Sequence, residues 1–134
     1  MGKKNDFCAI AESNGVEIVS FRLSSVDSMS TELDGRCYIA MDNSRQHTAA
    51  EEQACIGHEL GHCLYGGFYT RSTPFDVIER HEVRADRWYI RRAIPRRTLF
   101  RLLKEGYDAW EIAEQLNTTE EYVRRAYYYY KENR

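Results

Sequence analysis

The spacing of apolar positions along the chain changes near residue 47. Before it, Gly15 to Leu23 (GVEIVSFRL) is rich in β-branched residues and reads as a strand. Met29 to Asp42 reads as a hairpin, with Asp34-Gly35 as a type I′ turn signal and Cys37-Tyr38-Ile39-Ala40-Met41 as the stronger arm. After residue 47 the pattern is helical. Thr48 and Glu51 form a capping box that opens a helix running to about Tyr65 and ended by Gly66-Gly67. Thr73 as N-cap and Pro74 as first helical residue open a second helix that ends before Pro95. Three shorter helices follow: about 96–104, stopped near Gly106; 108–116, started by Asp108; and 119–132, with Thr118 and Glu121 as its capping box. The expected class is α+β, a small antiparallel sheet of about three strands followed by a mostly helical body. Residues 1–95 are expected to form the core unit, and 96–134 a helical C-terminal subdomain packed on it.

Composition narrows this picture without changing it. At 134 residues with 43% hydrophobic content, the chain can bury one core. A net charge of -2 shows no global bias toward nucleic acid or membrane. No apolar run approaches the ~18 residues a membrane span needs. The opening residues Met1 to Asp6 have no apolar segment of the kind a secretory signal carries, so a cytoplasmic location is expected. The four cysteines, Cys8, Cys37, Cys55 and Cys63, form no C-x-x-C pair and are expected as reduced thiols.

The chemistry begins at Cys55 to Gly67 (CIGHELGHCLYGG), which contains His58-Glu59-Leu60-Gly61-His62. At about 100° per residue, His58 and His62 lie about 40° apart on one helix face, with room for a single metal ion. Glu59 lies about 100° from His58, where a general base can take a proton from water. Ile56, Leu60 and Leu64 cluster on the opposite side, so one face can anchor in a core while the other meets a cleft. Gly61 costs about 1 kcal/mol against alanine in a helix, and close approach by another segment would explain it.

Two histidines do not hold zinc well; a catalytic site takes three protein ligands and leaves a position for water. The candidates in the second helix are Glu79, His81, Glu82 and Asp86. Arg80, Arg84, Arg87 and Arg91 make a basic stripe, while Ile78, Ala85, Tyr89 and Ala93 centre on the other side. Glu82 falls in the middle of that apolar face, where a carboxylate is costly without a cationic partner, and one zinc ion supplies the partner. Asp86, four residues on, can accept the second ring N–H of a ligating histidine. Tyr65, Tyr69 and Tyr89 are candidates to donate to an oxyanion, and nothing in the sequence chooses among them.

The motif His58-Glu59-x-x-His62, then Glu82-x-x-Ala85-Asp86-x-Trp88, then Ala93-Ile94-Pro95, resembles the ImmA/IrrE-type metallopeptidases of phages and mobile elements over roughly residues 15–105. The family pattern is H-E-x-x-H followed by E-x-x-A-N/D-x-F-A and an apolar stretch ending in proline. Trp88 stands at the usual phenylalanine, and Arg91 and Arg92 interrupt the apolar stretch. The resemblance implies a zincin-like fold, zinc on His58, His62 and Glu82, and Glu59 as catalytic base. It also implies a protein substrate, a transcriptional repressor encoded nearby. The expected activity is that of a zinc-dependent endopeptidase. The alternative is a non-catalytic, zinc-stabilised regulatory module that binds a protein partner or DNA.

Two charge patterns bear on partners. Ile112-Ala113-x-x-Leu116 followed by Val123 resembles a helix-turn-helix, but residues 105–134 carry four basic and seven acidic side chains. Glu120 and Glu121 open the would-be recognition helix, where phosphates would repel them, so direct specific DNA binding is not expected. Residues 80–104 are the reverse, nine basic against two acidic, and read as a solvated face that balances the acidic remainder.

Overall fold

The computed structural model describes residues 6–45, 47–65 and 72–133. Among them are three strands and six helices, an α+β arrangement. They run α1 (Phe7–Ser13), β1 (Glu17–Ser20), β2 (Ser28–Leu33), β3 (Arg36–Met41), α2 (Ala49–Tyr65), α3 (Phe75–Ala93), α4 (Arg96–Lys104), α5 (Ala109–Leu116) and α6 (Glu120–Glu132).

The hairpin β2–β3 forms as its turn predicts. Asp34 and Gly35 both take positive φ, 53° and 76°, the requirement of a type I′ turn, and Leu33 pairs with Arg36 across it. The expectation of a wholly antiparallel sheet is corrected. The order is β1-β3-β2, and β1 runs parallel to β3. The cause lies in the segment between β1 and β2, which crosses the end of β3 rather than turning back beside β1. Asp42, only 2% exposed, pins that crossing. Its carboxylate accepts from the Leu23 and Ser44 backbone N–H groups at 2.9 and 3.0 Å, and its own N–H donates to the Asp27 carbonyl. The second strand is thereby delivered to the far side of β3.

Helix α2 begins with the predicted box: Glu51 N–H donates to Thr48 Oγ1, and Thr48 N–H donates to Glu51 Oε1. Its expected stop at Gly66-Gly67 lies outside the described residues. Pro74 precedes α3 as its cap in an extended conformation (ψ 144°), one position earlier than the first-helical role expected of it. Asp108 and Glu111 box the start of α5. At α6 the cap is Thr119, whose side chain accepts from Tyr122 N–H, and not Thr118. Thr118 is buried instead and bonds the Tyr89 hydroxyl at 2.7 Å.

Helix α1 went unread in the sequence because seven residues give too few turns for a helical period to show. Asp6 caps it, and Phe7 and Ala11 are buried from it. One core joins sheet and helices. Ile39, Met41, Ile56 and Leu60 meet Phe7, Tyr89, Ile90 and Ile94, and the cluster continues through Leu99, Leu102, Ile112, Val123 and Tyr130. The Tyr130 hydroxyl donates to the Ile94 carbonyl at 2.8 Å, so α6 folds back onto the C-terminal end of α3.

The expectation of four reduced thiols is also corrected. Packing of α2 over β3 brings the Cα atoms of Cys37 and Cys63 to 5.8 Å, within the span a disulfide bridges, and the two are bonded. Cys8 and Cys55 are free. No helix among the described residues is long and apolar enough to cross a membrane.

Candidate metal centre

Helices α2 and α3 make the closest helix pair because one side of each is small where they touch. A Cβ on Gly61 would stand 3.0 Å from the Ala85 Cα and 3.0 Å from its carbonyl oxygen. The glycine between the two histidines is thus the close approach that its helical cost suggested. Ile56 and Leu60 are buried as expected, whereas Leu64 is 39% exposed and lies beyond the anchored part of α2.

This approach brings His58, His62 and Glu82 together, with one ligand atom from each within 4.8 Å of the others. The Glu82 carboxylate bridges the imidazoles: Oε1 lies 3.1 Å from His58 Nε2 and Oε2 lies 2.5 Å from His62 Nε2. His62 is buried and His58 nearly so. Glu82 keeps 39% side-chain exposure, so it reaches the site from the edge of the α3 face rather than from its middle.

Asp86 lies where a partner of the first histidine should. Its Oδ1 is 2.8 Å from His58 Nδ1, leaving Nε2 directed at the centre. Oδ1 also accepts from the Tyr122 hydroxyl at 2.6 Å, and Oδ2 from Arg125 at 3.1 Å. Glu59 is 8% exposed and accepts from the Ser28 hydroxyl at 3.0 Å. These residues, except His62, line a cleft of about 530 Å³ that also includes Cys55, Thr119 and Glu121.

The electrostatics favour a cation. Burial works against a charged His58, but hydrogen bonds to Asp86 and Glu82 outweigh it and push its pKa up to about 10. Burial alone would raise Glu82 and Asp86; their bonds to the histidines hold both below the ordinary carboxylate range. Glu82 thus faces both imidazoles and Asp86 faces that of His58, so negative charge gathers where a cation would sit. The donor set, two imidazole nitrogens and a carboxylate oxygen, is of the kind that zinc takes. Ligand atoms around tetrahedral zinc lie about 3.3 Å apart; here Glu82 oxygens stand 3.1 and 2.5 Å from the two imidazole nitrogens and the whole set lies within 4.8 Å. The residues fit the ion.

The remaining candidates are placed elsewhere. Glu79 is exposed and lines a different cleft, and His81 is half-buried on α3 outside the cluster. Of the candidate oxyanion donors, Tyr89 is placed in the core: it is fully buried, its hydroxyl is bonded to Thr118, and burial raises its pKa to about 12. Tyr65 is exposed, stacks with Arg84 and lines that other cleft. Tyr69 lies outside the described residues. Among the described residues the tyrosine at the site is Tyr122, which sequence reasoning missed together with Arg125 and Ser28. Tyr122 and Arg125 share a face of α6 by their spacing, the one signal present; their partner on α3 is 36 residues away for Tyr122.

The basic stripe holds together in space. Arg80, Arg84, Arg87 and Arg91 border a second cleft of about 550 Å³, and Arg87 and Arg91 lie over the Tyr129 ring. At α6 the two leading glutamates pair within the helix, Glu120 with Arg124 and Glu121 with Arg125. Searches of protein-family models, curated proteins and solved structures found no match to this chain.

Proposed function

We propose that the chain is a zinc-dependent endopeptidase of the ImmA/IrrE type, acting on a regulatory repressor protein. The observation that carries this reading is the convergence of His58, His62 and Glu82 from two helices, with Glu59 in the cleft that His58 and Glu82 line. The substrate class rests on the sequence resemblance alone.

The residues divide the work. His58 and His62 offer Nε2 and Glu82 a carboxylate oxygen, as the three protein ligands of one zinc ion. Bound there, zinc supplies Lewis acidity toward a peptide carbonyl and lowers the pKa of water to about 7. Asp86 holds the His58 ring by Nδ1 and sets its tautomer. Glu59 accepts the proton of the attacking water and returns it to the departing amine. Ser28 fixes the Glu59 carboxylate, and it stands at the start of β2, one of the two outer strands of the sheet. An extended peptide can add to the free edge of such a strand and lie along the cleft. No direct specific DNA contact and no membrane partner belong to this reading.

Glu59→Gln tests it. The variant keeps all three ligands, so zinc should remain at one ion per chain by elemental analysis while cleavage of a co-encoded repressor is abolished. Loss of the metal in this variant, or undiminished cleavage, would refute the assigned role. A wild-type protein that holds zinc but cleaves no such repressor would instead be the regulatory module.

A further inference from the structure

The C-terminal helix reaches the candidate metal centre through Asp86. The Tyr122 hydroxyl donates to Asp86 Oδ1 at 2.6 Å, the same oxygen that faces His58 Nδ1 at 2.8 Å. Arg125 donates to Oδ2 at 3.1 Å. The carboxylate is therefore held on both oxygens by α6 while it holds a ligand of α2. A lone carboxylate can rotate about its last torsion, and then the imidazole it orients turns with it. With both oxygens tied, neither rotation is free.

The α6 side of this junction is itself braced. The Tyr122 ring packs on Tyr89 with centroids 4.7 Å apart, and Tyr89 is fixed by Thr118. The Arg125 guanidinium lies over the Tyr122 ring, 5.0 Å from its centroid, and pairs with Glu121. Burial and the neighbouring Asp86 push the Tyr122 pKa upward, so the phenol keeps the proton that it donates. Tyr122, Arg125 and Glu121 of α6 and Asp86 and Tyr89 of α3 thus form a connected frame behind one histidine ring.

We infer that Tyr122 and Arg125 are positioning residues for the metal centre, acting through Asp86 on His58, so that α6 sets the metal affinity of a site whose ligands all lie on α2 and α3. The inference rests on the zinc reading above. It makes the C-terminal helices part of the site, not an appendage beside it. The site then responds to anything that shifts α6, because a displaced Tyr122 frees Asp86.

A double-mutant cycle on the full chain separates this role from general stability. The probe is Zn²⁺, titrated by competition with a chromogenic chelator, with the thermal midpoint of the metal-free protein measured alongside. Loss of a direct histidine partner costs roughly 10–100-fold in metal affinity, so Asp86→Ala should fall in that range. Tyr122→Phe, which keeps the ring, should weaken zinc binding by roughly 3–10-fold, a fraction of the Asp86 effect. In the Asp86→Ala background Tyr122→Phe should cost nothing further, since nothing remains for the hydroxyl to hold. Arg125→Gln should behave like Tyr122→Phe, and Arg125→Lys should recover part of the loss. Equal costs for Tyr122→Phe with and without Asp86, or unchanged affinity in Tyr122→Phe and Arg125→Gln, would overturn the inference while leaving the zinc site intact. A wild-type protein that takes up no zinc would overturn the functional reading and this inference with it.

Discussion

Gly57→Ala sets two effects of known sign against each other. Residue 57 lies inside α2, one position before the first histidine. Helix propensity alone favours alanine there by about 1 kcal/mol. The surroundings oppose it. A Cβ at 57 would fall on Cδ1 of the Tyr89 ring, 2.6 Å from Cε1 and 3.2 Å from Phe7 Cδ1, where ordinary contacts begin at 3.4 Å. The ring would have to retreat by close to an ångström, but it is fully buried, packed on Phe7 and Tyr122, and tied to Thr118. Overpacking of this kind costs about 1–3 kcal/mol, and breaking the buried hydroxyl bond costs about 1–3 kcal/mol more. Subtracting the propensity gain leaves a net loss of about 1–5 kcal/mol, centred near 3. At about 3–5 °C per kcal/mol for a chain of this length, the thermal midpoint should fall by about 10–15 °C. Far-UV circular dichroism of the metal-free protein reads this directly. In a Tyr89→Leu background, where a flexible side chain can move aside, the penalty should shrink below about 1 kcal/mol. A Gly57→Ala protein that melts higher than wild type would mean that the Tyr89 ring does not lie against α2 and that the α2–α3 packing is misassigned.

Two further outcomes follow from the site and from the sheet. Glu82→Ala should lower zinc affinity by more than the roughly 10–100-fold expected of changes behind a ligand, while His81→Ala and Glu79→Ala leave it nearly intact; metal content after dialysis decides, and a zinc-free His81→Ala would replace the proposed ligand set. Asp42 has its pKa lowered to about 2, chiefly by the Ser44 side chain and then the Leu23 N–H, so its stabilisation is complete above the unfolded carboxyl pKa and is lost as pH falls through about 2; Asp42→Asn should flatten the acid limb of the stability profile between about pH 4 and 2, and an unchanged limb in urea titrations would remove Asp42 as the pin of the β1–β2 crossing.

What could be read in the sequence, and what could not, divides by how far a signal reaches. The Asp34-Gly35 turn, the Thr48–Glu51 box and the start of α5 at Asp108 depend on residues a few positions apart, and each formed as expected; the faces of α2 and α3 did so except at Leu64, which is exposed, and Glu82, which lies at the edge. The place of Glu82 in the cluster was legible for the same reason: a carboxylate on an apolar stripe is an anomaly within one helix, and its spacing to Asp86 is one turn. The parallel pairing of β1 was not legible, because it depends on Asp42 gripping Leu23 nineteen residues back. Thr118 misled because a threonine before a helix is equally good as a cap or as a buried partner, and the choice was made by Tyr89, 29 residues away. Tyr122 failed to show on the same ground. Among ten tyrosines, nothing local marks the one whose hydroxyl meets Asp86. Nothing in the sequence chooses among the candidate oxyanion donors, and two of them, Tyr65 and Tyr89, are an exposed stacking residue and a core residue. The distinction has a physical consequence for the site itself. Its ligands sit on two long helices whose faces are specified locally, so their convergence follows once Gly61 lets the helices meet. The groups that orient those ligands come from a helix docked by long-range packing. On the positioning role proposed for α6, a substitution in the Tyr89–Thr118–Tyr122 cluster should act first on how well His58 is held and only secondarily on whether His58, His62 and Glu82 converge.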